Sequence, residues 1–157
     1  MLDEKDRKIL STLVEDGRAS VETVAEAIGL SPTPTRRRIQ QMEESGVISG
    51  YSANIDAEKL GLELAIYAFV KLQKRDRDTI AKFESEVSKI PEVLTCDLIT
   101  GAHDYLLYMR LPAMKHYNRF LRHVLAELPG VFGIETSVII GNVKNSSQLP
   151  THPIISG

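Results

Sequence analysis

Apolar residues recur at three- and four-residue intervals through positions 1–50, then give way after about residue 60 to alternating or wholly apolar runs interleaved with helical ones. The first rhythm belongs to packed helices and the second to strands covered by helices. Ile9, Leu10, Leu13 and Val14 share a face of a first helix that Asp3 is placed to cap, with Gly17 suited to the left-handed position after its end. Ser20 caps a second helix with Val21, Val24, Ala25 and Ile28 inward, and Gly29 closes it. Ser31 is placed to cap a third by accepting hydrogen bonds from first-turn N–H groups. Pro32 is pre-set for the first helical position, and Pro34 falls at the third, where its missing N–H would have had no intrahelical partner. Thr35, Ile39 and Met42 make the inward stripe and turn Thr33, Arg36, Arg37, Gln40, Gln41 and Glu44 outward. Helices joined by a short Gly-Leu-Ser connection make a helix-turn-helix. Val47, Ile48, Tyr51, Ala53 and Ile55 around Ser49-Gly50 predict a two-stranded hairpin, the wing of a winged helix-turn-helix.

Asp56 reads as the cap of one helical turn ending at Gly61, and here the period changes. The division follows: a winged helix-turn-helix over 1–50, a hinge over 51–62, a second domain over 63–142 and a tail over 143–157. Leu64 to Leu72 reads as a strand apolar on both faces, which must therefore be covered twice. Asp78 to Ile90 is an amphipathic helix stopped by Pro91, and Met114 to Leu128 is another. Val93 to Thr100 and Tyr105 to Leu111 are strands joined by a hairpin-length Gly101-Ala102-His103-Asp104, and Val131 to Ile140 is the last strand. Ile90-Pro91-Glu92-Val93 and Leu128-Pro129-Gly130-Val131 lead from helix to strand in the same way, a weak internal repeat. The order βαββαβ predicts an α+β, ferredoxin-like sandwich with both helices on one face of an antiparallel sheet. Tyr67, Phe69 and Tyr108 on the other face are expected to be buried against a second subunit.

Composition adjusts this picture little. The chain has 157 residues, 43% of them apolar and 25% charged, which suits globular protein of one medium or two small domains. No apolar run reaches membrane-spanning length and the start is a charged helix instead of a signal peptide, so a cytoplasmic protein without membrane partners is expected. The net charge of −2 excludes a protein that coats nucleic acid by bulk positive charge. Even in residues 1–50 acidic side chains outnumber basic ones, so any DNA affinity must come from a local patch. Cys96 cannot form an internal disulfide and reads as a buried, unreactive thiol. His116 and His123 lie seven apart on one helix with no companion to complete a tetrahedral metal set, and no Ser-His-Asp or paired-carboxylate arrangement stands out. Neither an enzyme, a metal site nor a cofactor is expected.

The third helix is the candidate DNA reader, since the N-terminal half of such a helix enters the major groove. Arg36 and Arg37 can each offer a planar fork to guanine or phosphate, while Thr33 and Gln40 can serve backbone or base edges. Ser31 with its neighbouring free amides can hold a phosphate. Arg38, on the flank near the apolar stripe, is a candidate for a phosphate or an intramolecular contact.

The residues also carry a resemblance. Leu30-Ser31-Pro32-Thr33-Pro34 with Arg38-Ile39, Glu43, Gly46-Val47-Ile48 and Gly50-Tyr51 is similar to the Lrp/AsnC (feast/famine) regulators. So are Gly101-x-x-Asp104-Tyr105-Leu106-Leu107, Leu128-Pro129-Gly130-Val131 and Val143-Lys144-x-Ser146-x-x-Leu149, and the match runs through nearly the whole chain. The resemblance implies a ferredoxin-like domain of the dimeric α+β barrel type, dimers associating into octamers, binding to double-stranded DNA, and an amino-acid effector. On that expectation, the loop Thr100-Gly101-Ala102-His103-Asp104-Tyr105 offers free amides for a carboxylate and Asp104 for an α-ammonium, with Thr136 adding a hydroxyl. A turn in which Gly101 supplies positive φ and Asp104 bonds its own backbone would select the same residues. The rival function is an effector-independent architectural protein that wraps DNA, which predicts broad sequence tolerance and no response to amino acids.

Overall fold

A computed structural model describes residues 2–144, so the tail expected over 143–157 lies almost wholly outside the described residues. Residues 2–54 and 55–143 form two compact units.

The first unit holds helices α1 (Glu4–Glu15), α2 (Val21–Ile28) and α3 (Pro32–Glu44). Ile9, Val24, Ile28 and Met42 make its buried centre, with Leu10, Leu13, Leu30 and Ile39 packed around them. Asp3 and Asp6 cap α1 reciprocally, each side chain accepting the other's backbone N–H. Ser20 caps α2 by accepting the Thr23 N–H at 3.1 Å. Gly29 takes the left-handed conformation (φ 66°) that lets the chain leave α2 sharply, and the Lys5 ammonium donates to the Ile28 carbonyl beside it.

Two expectations for this unit fail. Gly17 is not left-handed; α1 ends instead in an aspartate turn, where Asp16 Oδ1 accepts the Arg18 N–H and Asp16 O accepts the Ala19 N–H. The hairpin predicted over 47–55 is absent, and the segment after α3 contains no strand. Its backbone bonds all return to α3, with the Gly46 N–H donating to Glu43 O and the Ile48 N–H to Met42 O, both at 3.0 Å, while the Tyr51 hydroxyl donates to Glu43 at 2.9 Å. Residues 52–55 are exposed and find no ladder partner among the described residues. Alternation alone does not pair strands when the facing backbone is missing.

The second unit is a four-stranded antiparallel sheet, β1 (Leu64–Leu72), β2 (Val93–Leu98), β3 (Tyr105–Leu111) and β4 (Val131–Val138), in the order β2-β3-β1-β4. With α4 (Arg77–Val87) and α5 (Met114–His123) between strands, this is the βαββαβ ferredoxin-like arrangement, α+β as expected. Ile66, Ala68 and Val70 of β1 and Leu107 and Met109 of β3 are fully buried beneath the helices, with Phe83, Tyr117, Phe120 and Leu125. On the opposite face Tyr67 and Tyr108 lie ring to ring at 5.3 Å, and Tyr67 and Phe69 stay partly exposed.

Three details depart from the sequence reading. Turns with i→i−3 hydrogen bonds replace the end of α4 beyond Val87, because Pro91 disfavours helical geometry at Ile90. The second amphipathic run breaks at Val124 and continues as a single 3-10 turn, Leu125–Glu127, which allows Leu125 and Leu128 both to be buried. Cys96 is exposed, since β2 is an edge strand paired only with β3. Partial desolvation together with Asp97 and Glu84 nevertheless pushes its pKa up to about 11, so it stays a protonated thiol.

Candidate functional site

The start of α3 is shaped by its prolines. Ser31 occupies the cap position with extended backbone, yet its hydroxyl makes no capping bond. The reason is Pro34, which removes the N–H at the third helical position, the usual donor to a cap oxygen. Thr35, fully buried, is held instead through Ser31 O, which accepts both its backbone N–H at 3.4 Å and its hydroxyl at 2.9 Å. The exposed Ser31 hydroxyl and the Thr33 N–H therefore remain available for an external acceptor.

Beyond this turn the arginines separate. Arg38 Nη1 donates to Asp3 Oδ2 and Asp6 Oδ1, both at 2.7 Å, and so ties α3 to the start of α1. The bonds to Asp6 and Asp3 hold its pKa above the usual value, and the Asp6 N–H with Arg38 holds the Asp3 carboxyl below its own. Arg38 is thus an internal clamp, the intramolecular of the two contacts that its flank position suggested. Arg36 and Arg37 are exposed and form no ion pair among the described residues. Gln40, also exposed, donates to Glu44 at 2.9 Å.

In the second unit, the polar residues between β2 and β3 are arranged around Asp104. Its Oδ2 accepts the Leu72 N–H at 2.8 Å, its Oδ1 meets Arg75 Nε at 2.6 Å, and its own N–H donates to Val70 O. The residue is 6% exposed. With both oxygens engaged, Asp104 is the anchor that fastens the loop to the end of β1, not the open partner for an ammonium that its sequence position suggested. Its O also accepts the Ile99 N–H, which closes the loop, and Gly101 spans it with φ 127°. The N–H groups of Gly101, Ala102 and His103 find no acceptor among the described residues. Thr100, Gly101 and Ala102 are exposed, whereas Tyr105 turns inward, stacks on Phe83 at 4.6 Å and donates to Glu84 at 2.7 Å.

The His103 ring lies 5.4 Å from Phe69, and its Nε2 is 3.4 Å from Glu135 Oε2. Strand alternation sends the next residue, Thr136, to the helix-covered side, where its hydroxyl is hydrogen-bonded to Tyr117. Thr136 is therefore not brought together with His103. Glu135 and Arg75, which the sequence reading did not single out, stand beside the loop in its place. The signal for Arg75 was indirect: a carboxylate buried in a hairpin requires a cation, and Lys74-Arg75 follows β1 directly.

A helix-turn-helix whose third helix presents unpaired arginines, followed by a ferredoxin-like unit with unused main-chain donors, defines a DNA-binding regulator with a ligand-binding domain. Residues 2–43 match the AsnC-type helix-turn-helix domain, and residues 65–149 match the Lrp/AsnC ligand binding domain. The chain belongs to the Lrp/AsnC family of transcriptional regulators, which are not enzymes. It is 38% identical over 149 residues to the Bkd operon transcriptional regulator of Pseudomonas aeruginosa, covering 95% of this chain and 97% of that one. It is 37% identical over 148 residues to the leucine-responsive regulatory protein of Escherichia coli, covering 94% and 90%. A transcriptional regulator from Neisseria meningitidis, solved as a complex with L-Met, superposes with a TM-score of 0.92 at 33% identity over 96% of this chain and 97% of that one.

Proposed function

We propose that the regulator reads DNA through Arg36, Arg37, Thr33 and Gln40, with Ser31 and the Thr33 N–H holding a phosphate at the start of α3. The observation that carries this is the division of the arginines: Arg38 is consumed by Asp3 and Asp6, while its two neighbours are unpaired and exposed. The amino-acid effector sits at the Thr100–His103 loop, its carboxylate on the free N–H groups of Gly101 to His103 and its ammonium toward Glu135, the exposed acid beside His103. The L-Met complex of the Neisseria regulator favours an apolar amino acid for this chain too. The open sheet face, with Tyr67, Phe69 and Tyr108, joins two copies into a dimer, and dimers assemble further into octamers inside the cell.

A thermal-shift screen of the full chain against the twenty amino acids tests the effector, followed by sizing by light scattering with the best hit. Stabilisation by an apolar amino acid that Glu135→Ala weakens supports the site. A flat response to every amino acid sinks it in favour of an architectural role. For the dimer, Tyr67→Glu is expected to yield monomers, and an unchanged mass would refute the sheet contact.

A further inference from the structure

We propose that α5 carries a second DNA contact, a sequence-independent one in which Lys115, Arg119 and Arg122 engage the phosphate backbone. The two helices of the second unit hold equivalent places in its βαββαβ order, yet their charge differs. Helix α4 sets Arg77 and Lys82 against Asp78, Glu84 and Glu86, whereas α5 has three cations and no acid. Successive helical residues point about 100° apart, so positions 115, 119 and 122 fall within about 60° of one another and make one stripe. All three side chains are exposed and form no ion pair among the described residues. Glu92, which lines a cavity with Arg119, and Glu127 in the 3-10 turn leave them unpaired.

Stability of the helix does not account for this stripe. Arg122 and His123 in the last turn suit the negative end of the helix dipole, but Lys115 stands in the first turn, where the dipole opposes a cation. That turn contains no acid, and Ala113 at the cap position supplies no side-chain oxygen. A helix start that breaks both rules marks residues kept for something other than the fold.

The chemistry of the stripe selects its partner. Seven residues separate Lys115 from Arg122, a length of about 10 Å at 1.5 Å per residue. Each strand of DNA carries one phosphate per about 3.4 Å of helix axis, so about three fall within that length. Met114 is the large apolar residue exposed on α5 and points about 100° away from Lys115, so the stripe itself offers nothing to an apolar partner. The chain is a DNA-binding regulator with a net charge of −2, and its hold on a polyanion must come from concentrated patches of this kind. In an assembly of several copies, such weak contacts to one duplex reinforce each other.

The test is sequence-independent binding of the full chain to a mixed-sequence duplex of about 60 base pairs, followed by anisotropy across a range of salt concentrations. Lys115→Gln/Arg119→Gln is compared with Arg77→Gln/Lys82→Gln, which removes the same charge from α4. The α5 pair is expected to lower the slope of log affinity against log salt by at least about 2, the value for two lost phosphate contacts, and to weaken binding by about tenfold near physiological salt. The α4 pair is expected to leave the slope as it is. The melting temperature of the α5 pair is expected to hold or to rise, since Lys115 opposes the dipole. An unchanged slope, an equal fall for the α4 pair, a lowered melting temperature, or dependence on the stripe for binding phosphatidylserine vesicles in place of DNA would each overturn the proposal. Because the duplex has no chosen sequence, the result is independent of which bases Arg36 and Arg37 read.

Discussion

The third helix and the loop between β2 and β3 handle charge in parallel ways. Each ties one charged side chain into the fold and leaves its neighbours unengaged. On α3 the tied group is Arg38, held by Asp3 and Asp6, and what remains free are the long arms of Arg36 and Arg37. In the loop the tied group is Asp104, held by Arg75 and the Leu72 N–H, and what remains free are the main-chain donors of Gly101 to His103. The leftovers differ as the proposed ligands do. A DNA groove is broad and its base edges lie deep, so flexible side chains with planar forks suit it. A small zwitterion leaves water only if short, fixed donors meet it at once, and backbone N–H groups lose little entropy in doing so.

Asp104→Ala gives the sharpest break in this parallel. It leaves the buried Leu72 N–H without an acceptor and is expected to cost about 2–3 kcal/mol, read as a lower urea midpoint. Asp104→Asn keeps an acceptor for Leu72 and should lose less; equal losses would mean that the Leu72 bond is not what anchors the loop. On the helix, Arg37→Ala should weaken specific DNA binding by about 1–3 kcal/mol in anisotropy titrations while the melting temperature holds. Arg38→Ala should do the reverse, a small loss of stability that shrinks as salt is added and a weaker effect on DNA. Should Arg38→Ala cost more DNA affinity than Arg37→Ala, the division between clamp and reader is wrong.

The smallest effect is in acid. Asp3 titrates below its ordinary value of 3.8 because the folded state favours its charged form, so its contribution is whole above that value. It fades as the pH falls through the lowered native pKa. Circular dichroism of α1 along an acid titration, for the natural chain and Asp3→Asn, is expected to show the difference between them closing in that window.

Much of this was legible in the sequence because it depends on local rules. The caps Asp3 and Ser20, the left-handed Gly29, the strand β1 and the order βαββαβ follow from side-chain type and period alone. What was not legible depends on partners distant in the chain. The flank position of Arg38 marks it for an intramolecular contact, but nothing in the sequence says that its partners are Asp3 and Asp6, more than thirty residues earlier. Asp104 looks open by spacing and is closed only once Arg75 and Leu72 fold beside it. The apolar residues of 47–55 suggested a hairpin, but pairing needs a neighbour that the described chain does not supply.

Pro32 and Pro34 have one further consequence, an angular one. With Gly29 before them, they fix where α3 begins, so the helix cannot slide its side chains around its axis by adding or dropping a residue. Successive helical residues point about 100° apart. When Arg37 faces the floor of a groove, Arg36 faces one of its walls. On the proposed docking the two arginines would then meet different parts of the groove, and exchanging their places would require the whole unit to roll on the DNA.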